Sequence, residues 1–152
     1  MKFHQGKFKP KNPSKYVGST NNIVYRSSWE LKLMIWLDES PNVINWASEE
    51  MAIPYISPLD NKPHRYFVDF VMKWKDKDNR IRTALVEVKP WVKRKVPVMR
   101  SRLTKRYLNE AAEYAVNQAK WEAAEKWAKK QNWEFIIFDE YDLGIALGKR
   151  PE

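Results

Sequence analysis

Apolar and polar residues alternate with two different periods along this chain, and the changes of period mark its elements. Leu33, Met34 and Leu37 recur at helical spacing after Ser27. Ser27 and Glu30 stand at capping-box separation, which predicts a helix from Ser27 to about Asp38, ended by Asp38-Glu39-Ser40-Pro41-Asn42. Residues 46–56 read as a first strand, placed at a sheet edge because Pro54 has no N–H to give a ladder. Pro58-Leu59-Asp60-Asn61 is a turn. Residues 65–75 and 80–89 are strand-like runs parted by Asp76-Lys77-Asp78-Asn79, which predicts a hairpin. Leu108, Ala112, Ala115, Ala119, Ala123 and Trp127 give a small-residue face to a long helix over 103–130. Residues 133–138 are a compact apolar run, predicted as a last, buried strand. The tail over 139–152 offers only the turn signals at Gly144 and Gly148.

The order helix, three strands, helix, strand predicts an α/β fold with a mixed central sheet of about four strands flanked by helices. With 152 residues, 43% of them hydrophobic, the chain makes one domain over 23–152 behind a basic N-terminal arm over 1–22. The eight tryptophans mostly fall inside the periodic segments and read as core, with Trp91 the exception.

The hairpin register decides which side chains meet. A three-residue loop, Lys77-Asp78-Asn79, suits a turn whose last residue is left-handed, a conformation that Asn tolerates. Asp76 then opposes Arg80, and counting back sets Asp69 opposite Glu87. By strand alternation Phe67, Asp69 and Val71 share a face with Leu85, Glu87 and Lys89, while Val68, Phe70 and Met72 share the other with Ala84, Val86 and Val88. Both faces are apolar enough to need covering. Two facing carboxylates on such a surface repel and lose hydration unless a positive charge lies between them.

A divalent cation meets that need. Asp69 and Glu87, with the Val88 carbonyl, form a hard oxygen set suited to Mg²⁺ or Mn²⁺. Lys89 could orient a water or stabilise charge on a phosphoryl group, so hydrolysis of a phosphodiester is the implied chemistry. A cross-strand salt-bridge pattern is the plainer alternative for the same residues. Glu30 is either a helix cap alone or a cap that also reaches the site. Gln118 and Lys120 could approach a phosphate or serve solubility only. His64 reads as structural or exposed.

Charge narrows the partners. The net charge is +9, yet residues 1–26 carry six basic and no acidic side chains and residues 89–106 carry eight and none, which leaves the remainder at −5 (9 − 14). Two such runs fit a polyanion, because neutralising phosphates releases condensed counterions. Lys93, Arg94, Lys95, Arg100, Arg102, Lys105 and Arg106, with Trp91 among them, are the predicted DNA-contacting residues. Without cysteine, and with only His4 and His64, thiolate and histidine-rich zinc sites are excluded. No signal peptide or membrane-length apolar stretch is present, which predicts a soluble intracellular protein without membrane partners.

Asp69 with Glu87-Val88-Lys89 resembles the PD-(D/E)xK nuclease superfamily, Val68 standing where the literal motif has proline. The resemblance implies a restriction-endonuclease-like core from about Ser27 to Phe138 and an Mg²⁺-dependent endodeoxyribonuclease with Asp69, Glu87 and Lys89 at its centre. Tyr25-Arg26-Ser27-Ser28-Trp29-Glu30 is similar to the opening helix of transposase endonuclease subunits, which implies that Glu30 joins the site. Lys11-Asn12-Pro13-Ser14-Lys15-Tyr16 and Trp133-Glu134-Phe135-Ile136-Ile137-Phe138-Asp139-Glu140 resemble the head-completion nucleases of contractile-tailed phages. That likeness implies action on packaged DNA, partners in the capsid or the portal and neck, and residence in the virion and host cytoplasm. A non-catalytic virion protein that binds DNA ends or the portal, and an RNA or tRNA nuclease of the same core, are the alternatives.

Overall fold

The computed structural model describes residues 5–151; Met1 to His4 of the expected arm, and Glu152, lie outside the described residues. The short strands β1 (Gly6–Lys7) and β2 (Val24–Tyr25) pair with each other ahead of helix α1 (Ser28–Glu39). Ser27 caps α1, its Oγ accepting from Glu30 N–H at 3.1 Å, and Pro41 follows shortly after the helix end. Strands β3 (Val43–Ser48), β4 (Ala52–Ile56), β5 (Pro63–Phe67), β6 (Phe70–Lys75) and β7 (Ile81–Val88) follow. Helix α2 (Lys105–Lys130) and strand β8 (Glu134–Phe138) complete the order.

The expected mixed sheet of four strands is present, ordered β3-β6-β7-β8, with β8 parallel to β7 and the other pairs antiparallel. One face carries Phe70, Met72, Ala84, Val86 and Val88 against Leu33, Met34 and Leu37 of α1. The other carries Leu85 and the half-buried Val71 against Trp121, Ala124 and Ala128 of α2. The sheet is therefore covered on both sides, as its composition requires.

Several expectations need correction. Residues 46–56 are not one strand, and residues 65–75 are not one strand. Both runs break at the same level: Ser48 pairs with Phe70 and Ala52 with Phe67, so residues 49–51 oppose only Val68 and Asp69. That one-residue excess is a bulge, with Glu49 left-handed at φ 54°. Beyond it β4 and β5 form a separate two-stranded sheet, Tyr66 and Val68 turn into the α2-side core, and Phe67 is left exposed. The face assignments of Phe67 and Val68 therefore fail where the period slips.

The buried stripe of α2 is Asn117, Trp121, Ala124 and Ala128; Ala123 and Trp127 only flank it, and Leu108 is exposed. Several small residues spread around this helix, so its sequence leaves the azimuth open. Strand β8 is half-buried instead of buried, because it ends the sheet. Among the tryptophans Trp46 and Trp121 are core, but Trp36 is half exposed on the outer face of α1.

The described part of the expected arm is tied to the domain. Phe8 and Tyr16 pack their rings edge-on to Trp46, with centroids 5.8 and 4.8 Å away. The buried Asp38 carboxylate accepts from the N–H groups of Lys11 and Asn12 at 2.8 and 3.0 Å. Lys15 Nζ donates to the carbonyls of Asp38 and Ser40 at the end of α1, where the helix dipole favours a cation. The basicity of this stretch thus partly serves intramolecular contacts.

The hairpin between β6 and β7 has the expected register, with Lys75 paired to Ile81 and Phe70 to Val86. Asp76 Oδ1 accepts from the N–H groups of Asp78 and Arg80, and Asn79 is left-handed at φ 63°. Those N–H groups hold the Asp76 carboxyl below the usual carboxylate range. Asn79→Val should destabilise the protein by about 1–2 kcal/mol while Asn79→Gly stays near neutral, as read by urea denaturation.

Candidate active site

The bulge brings Asp69 to the end of β6, where its carboxylate reaches across to β7. Oδ2 accepts from the Val88 N–H at 2.8 Å, and the Asp69 carbonyl accepts from Glu49 N–H at 3.0 Å. Asp69 is thus held from two sides of the break. Glu87, one residue beyond the last β6–β7 pair and paired with Ile137 of β8, is only 6% exposed. Its Oε2 accepts from the Tyr66 hydroxyl at 2.5 Å, and its Oε1 lies 3.8 Å from Lys89 Nζ. The four residues therefore gather at one end of the sheet.

The electrostatics follow from that placement. Burial and the neighbouring Glu87 charge push the Asp69 carboxyl well above the usual carboxylate range. Burial likewise raises Glu87, against the Tyr66 hydroxyl and the charges of Lys89 and Lys120, which favour its ionised form. Tyr66 is itself raised by burial and the Glu87 charge, so it remains a phenol and a donor. Two acids that both resist ionisation mark a place where negative charge lacks compensation.

Glu30 projects from the first turn of α1 and accepts from the Ser27 hydroxyl at 3.3 Å, so its role as a cap is met. Burial also raises its carboxyl, and its charge is felt at Asp69. Arg26 pairs with Glu49 through two contacts, at 3.0 and 3.3 Å, and its charge acts on Glu30 and Asp69 as well. Glu30 is therefore near enough to Asp69 for its charge to act there, without a contact to either carboxylate. Among the described residues no three acidic or histidine side chains are gathered closely enough to hold a metal ion. Asp69 and Glu87 are the two carboxylates that could hold a hard divalent cation, and a cation beside them would favour the ionised form that burial opposes. Val88 contributes the N–H that fixes Asp69.

Sequence reasoning missed Tyr66, because strict alternation sets it on the face opposite Glu87 and only the bulge brings it round. It also left Lys120 undecided. Lys120 Nζ lies 5.6 Å from the centre of the Tyr66 ring and 5.9 Å from that of Tyr55, on the Glu87 side of α2. Gln118 is exposed and lines a depression with Trp121, Glu122 and Ile137, the ladder partner of Glu87, but makes no hydrogen bond to Asp69 or Glu87. His64 is exposed and bonded to Asp60 at 2.8 Å, apart from the site. His4 lies outside the described residues.

The basic run leaves the site at Lys89 and forms a short 3₁₀ turn, Trp91–Arg94. Lys95 covers the Trp91 ring at 4.2 Å, and Lys93 and Arg106 pair with Glu113 and Glu110 of α2. Arg94 pairs with Asp139, a fully buried carboxylate that also holds Arg150 of the tail. Burial opposes ionisation of Asp139, but Arg150 and the N–H groups of Asp142 and Tyr141 hold its pKa at about 2. Arg100, Arg102 and Lys105 are exposed and make no ion pair among the described residues.

The chain is similar to known proteins over most of its length. Residues 40–140 match the family described as TnsA-like endonuclease N terminal. The chain is also similar to the head completion nuclease of Enterobacteria phage T4, at 40% identity over 149 residues, 95% of this chain and 96% of that protein. Among the described residues no helix is long and apolar enough to cross a membrane.

A raised carboxyl pKa in the folded state contributes stability at low pH that is lost as pH rises through the folded value. Asp69→Asn should therefore raise the melting temperature in EDTA at neutral pH by roughly 2–4 °C, about 1 kcal/mol for a domain of this size. Scanning calorimetry from pH 8 down to pH 5 should show the advantage shrinking as the wild-type carboxyl takes up its proton.

Proposed function

The chain belongs to the TnsA-like N-terminal endonuclease family, and from that premise we propose that it is a divalent-metal-dependent DNA endonuclease with Asp69, Glu87 and Lys89 at its centre. The observation that carries this reading is a buried pair of carboxylates, both hard to ionise, with a lysine ammonium 3.8 Å from one of them. Bound by Asp69 and Glu87, Mg²⁺ or Mn²⁺ would polarise a phosphoryl oxygen and lower the pKa of a coordinated water.

Each neighbouring group then has a task set by its place. The Val88 N–H fixes the orientation of Asp69, leaving Oδ1 for the cation, and the Val88 carbonyl is a further oxygen at the same strand end. The Tyr66 hydroxyl holds Oε2 of Glu87 and favours its ionised form, as a donor at that distance must. Lys89 orients the attacking water and stabilises charge developing on the phosphoryl group. Lys120 adds a second cation on the α2 side. Glu30 supplies further negative charge felt at Asp69, which would favour a cation held there.

The substrate in this reading is DNA, gripped by phosphate contacts from the basic run and without base-specific readout. The similarity to a phage head completion nuclease supports a role at the filled head, in the virion and host cytoplasm, with the capsid or portal as neighbours.

Supercoiled plasmid should be cut in Mg²⁺ or Mn²⁺ and left intact in EDTA. Lys89→Ala should slow cutting by about 100-fold or more while binding in EDTA persists. Tight binding without cutting in any metal would return the chain to a structural, DNA-end-binding role. Tyr66→Phe removes the donor that favours ionised Glu87, so the Glu87 pKa rises further. The acid limb of the pH–rate profile should move to higher pH, with a loss of about tenfold at neutral pH.

A further inference from the structure

Beyond the carboxylates, the basic run folds back over the first half of α2 and encloses a cleft of about 790 Å³. Its walls combine the rings of Tyr107 and Tyr114 and apolar side chains of the run with charged groups: Lys93 and Arg106 are paired with Glu113 and Glu110, which also line the cleft, while Arg100 and Arg102 make no ion pair among the described residues and leave it net positive. Val92, Val96 and Val98 are each more than 60% exposed there. Asn117, on the floor, is 6% exposed, and its Nδ2 is buried with no hydrogen-bond partner among the described residues. A buried amide N–H without an acceptor is rare in a native protein and points to a ligand that completes it. The amide need only turn toward the cleft to donate to an acceptor there.

The cleft joins the candidate active site. Asn117 stands one helical turn before Lys120, which lies over Tyr66, and Lys93 stands four residues beyond Lys89. Resting on the nuclease reading given above, we propose that this cleft takes a single-stranded segment of DNA, running from the scissile phosphate along α2, so that the preferred substrate carries an unpaired tail beside a duplex.

Three observations favour a single strand over a continuous duplex. The volume lies in the range of pockets for small ligands, roughly 300–1,000 Å³, which admits a few linked nucleotides and not the full section of a double helix. Rings and apolar side chains are of no use to the phosphate surface of a duplex, whereas unpaired bases stack on the one and bury against the other. Cations interleaved with those groups follow the backbone of the same strand.

The test is fluorescence anisotropy in EDTA, with labelled oligothymidylate of about 12 nucleotides against a blunt duplex of the same length. The wild type should bind the single strand at least about tenfold more tightly at equal salt. Tyr114→Leu should lose about tenfold in that affinity, and Tyr114→Phe, which keeps the ring, should retain it. Arg102→Gln, at an exposed position, should reduce the salt slope for the single strand by about 0.7, a measure that survives if Tyr114→Leu does not fold. Equal or better duplex binding, Tyr114→Leu at wild-type affinity, or an unchanged slope for Arg102→Gln would overturn the proposal. So would Tyr114-dependent capture of a polyglutamate peptide in place of the oligonucleotide, which would assign the cleft to an acidic protein segment. Single-strand preference in EDTA combined with no cutting in Mg²⁺ would support the cleft and remove only the nuclease reading.

Discussion

The carboxylates of Asp69 and Glu87 face each other because a three-residue turn sets the offset of β6 against β7 and a bulge then releases Asp69 from the ladder. The turn is stabilised by the Asp76 carboxylate, which binds the N–H groups of Asp78 and Arg80, and by Asn79 in a left-handed conformation. The bulge is stabilised at the other end, where Glu49 N–H meets the Asp69 carbonyl and Val68 N–H meets that of Met51. Every other feature of the site depends on these two points: Tyr66 reaches Glu87 only because the chain turns over at the bulge, and Lys120 reaches the pair only because α2 packs on the face that Tyr66 and Leu85 present.

Such a site works against the fold that holds it. Asp69 and Glu87 occupy positions that a stability-driven sequence would give to apolar or neutral groups, and burial pushes both carboxyls toward the neutral form for the same reason. The surrounding structure absorbs it with two apolar cores and with ties between distant segments. Asp139, buried between Arg94 and Arg150, joins the end of β8 to the basic run and to the tail. Arg94, a predicted DNA contact, pairs with Asp139 and so also helps to hold the run from which neighbouring cations project.

Much of this was legible in the order of residues because its causes are local. Alternation over 80–89, the Asp76-to-Asn79 turn chemistry and the Ser27 cap each act within a few residues, so they determined the hairpin register, the opposition of Asp69 to Glu87 and the start of α1. The clustering of charge in residues 89–106 was equally plain from the chain alone. Tertiary structure alone decided the rest. A bulge adds one residue to one strand without changing composition or period on either side, so the split of the two strand runs, and with it the place of Tyr66, had no local signal. Small residues spread around α2 permit several azimuths, and only the sheet surface selected the stripe through Asn117, Trp121, Ala124 and Ala128. The cleft over that helix and the Arg94–Asp139 pair join segments that are distant in the chain, 45 residues apart for that pair, in positions that no period in the sequence encodes.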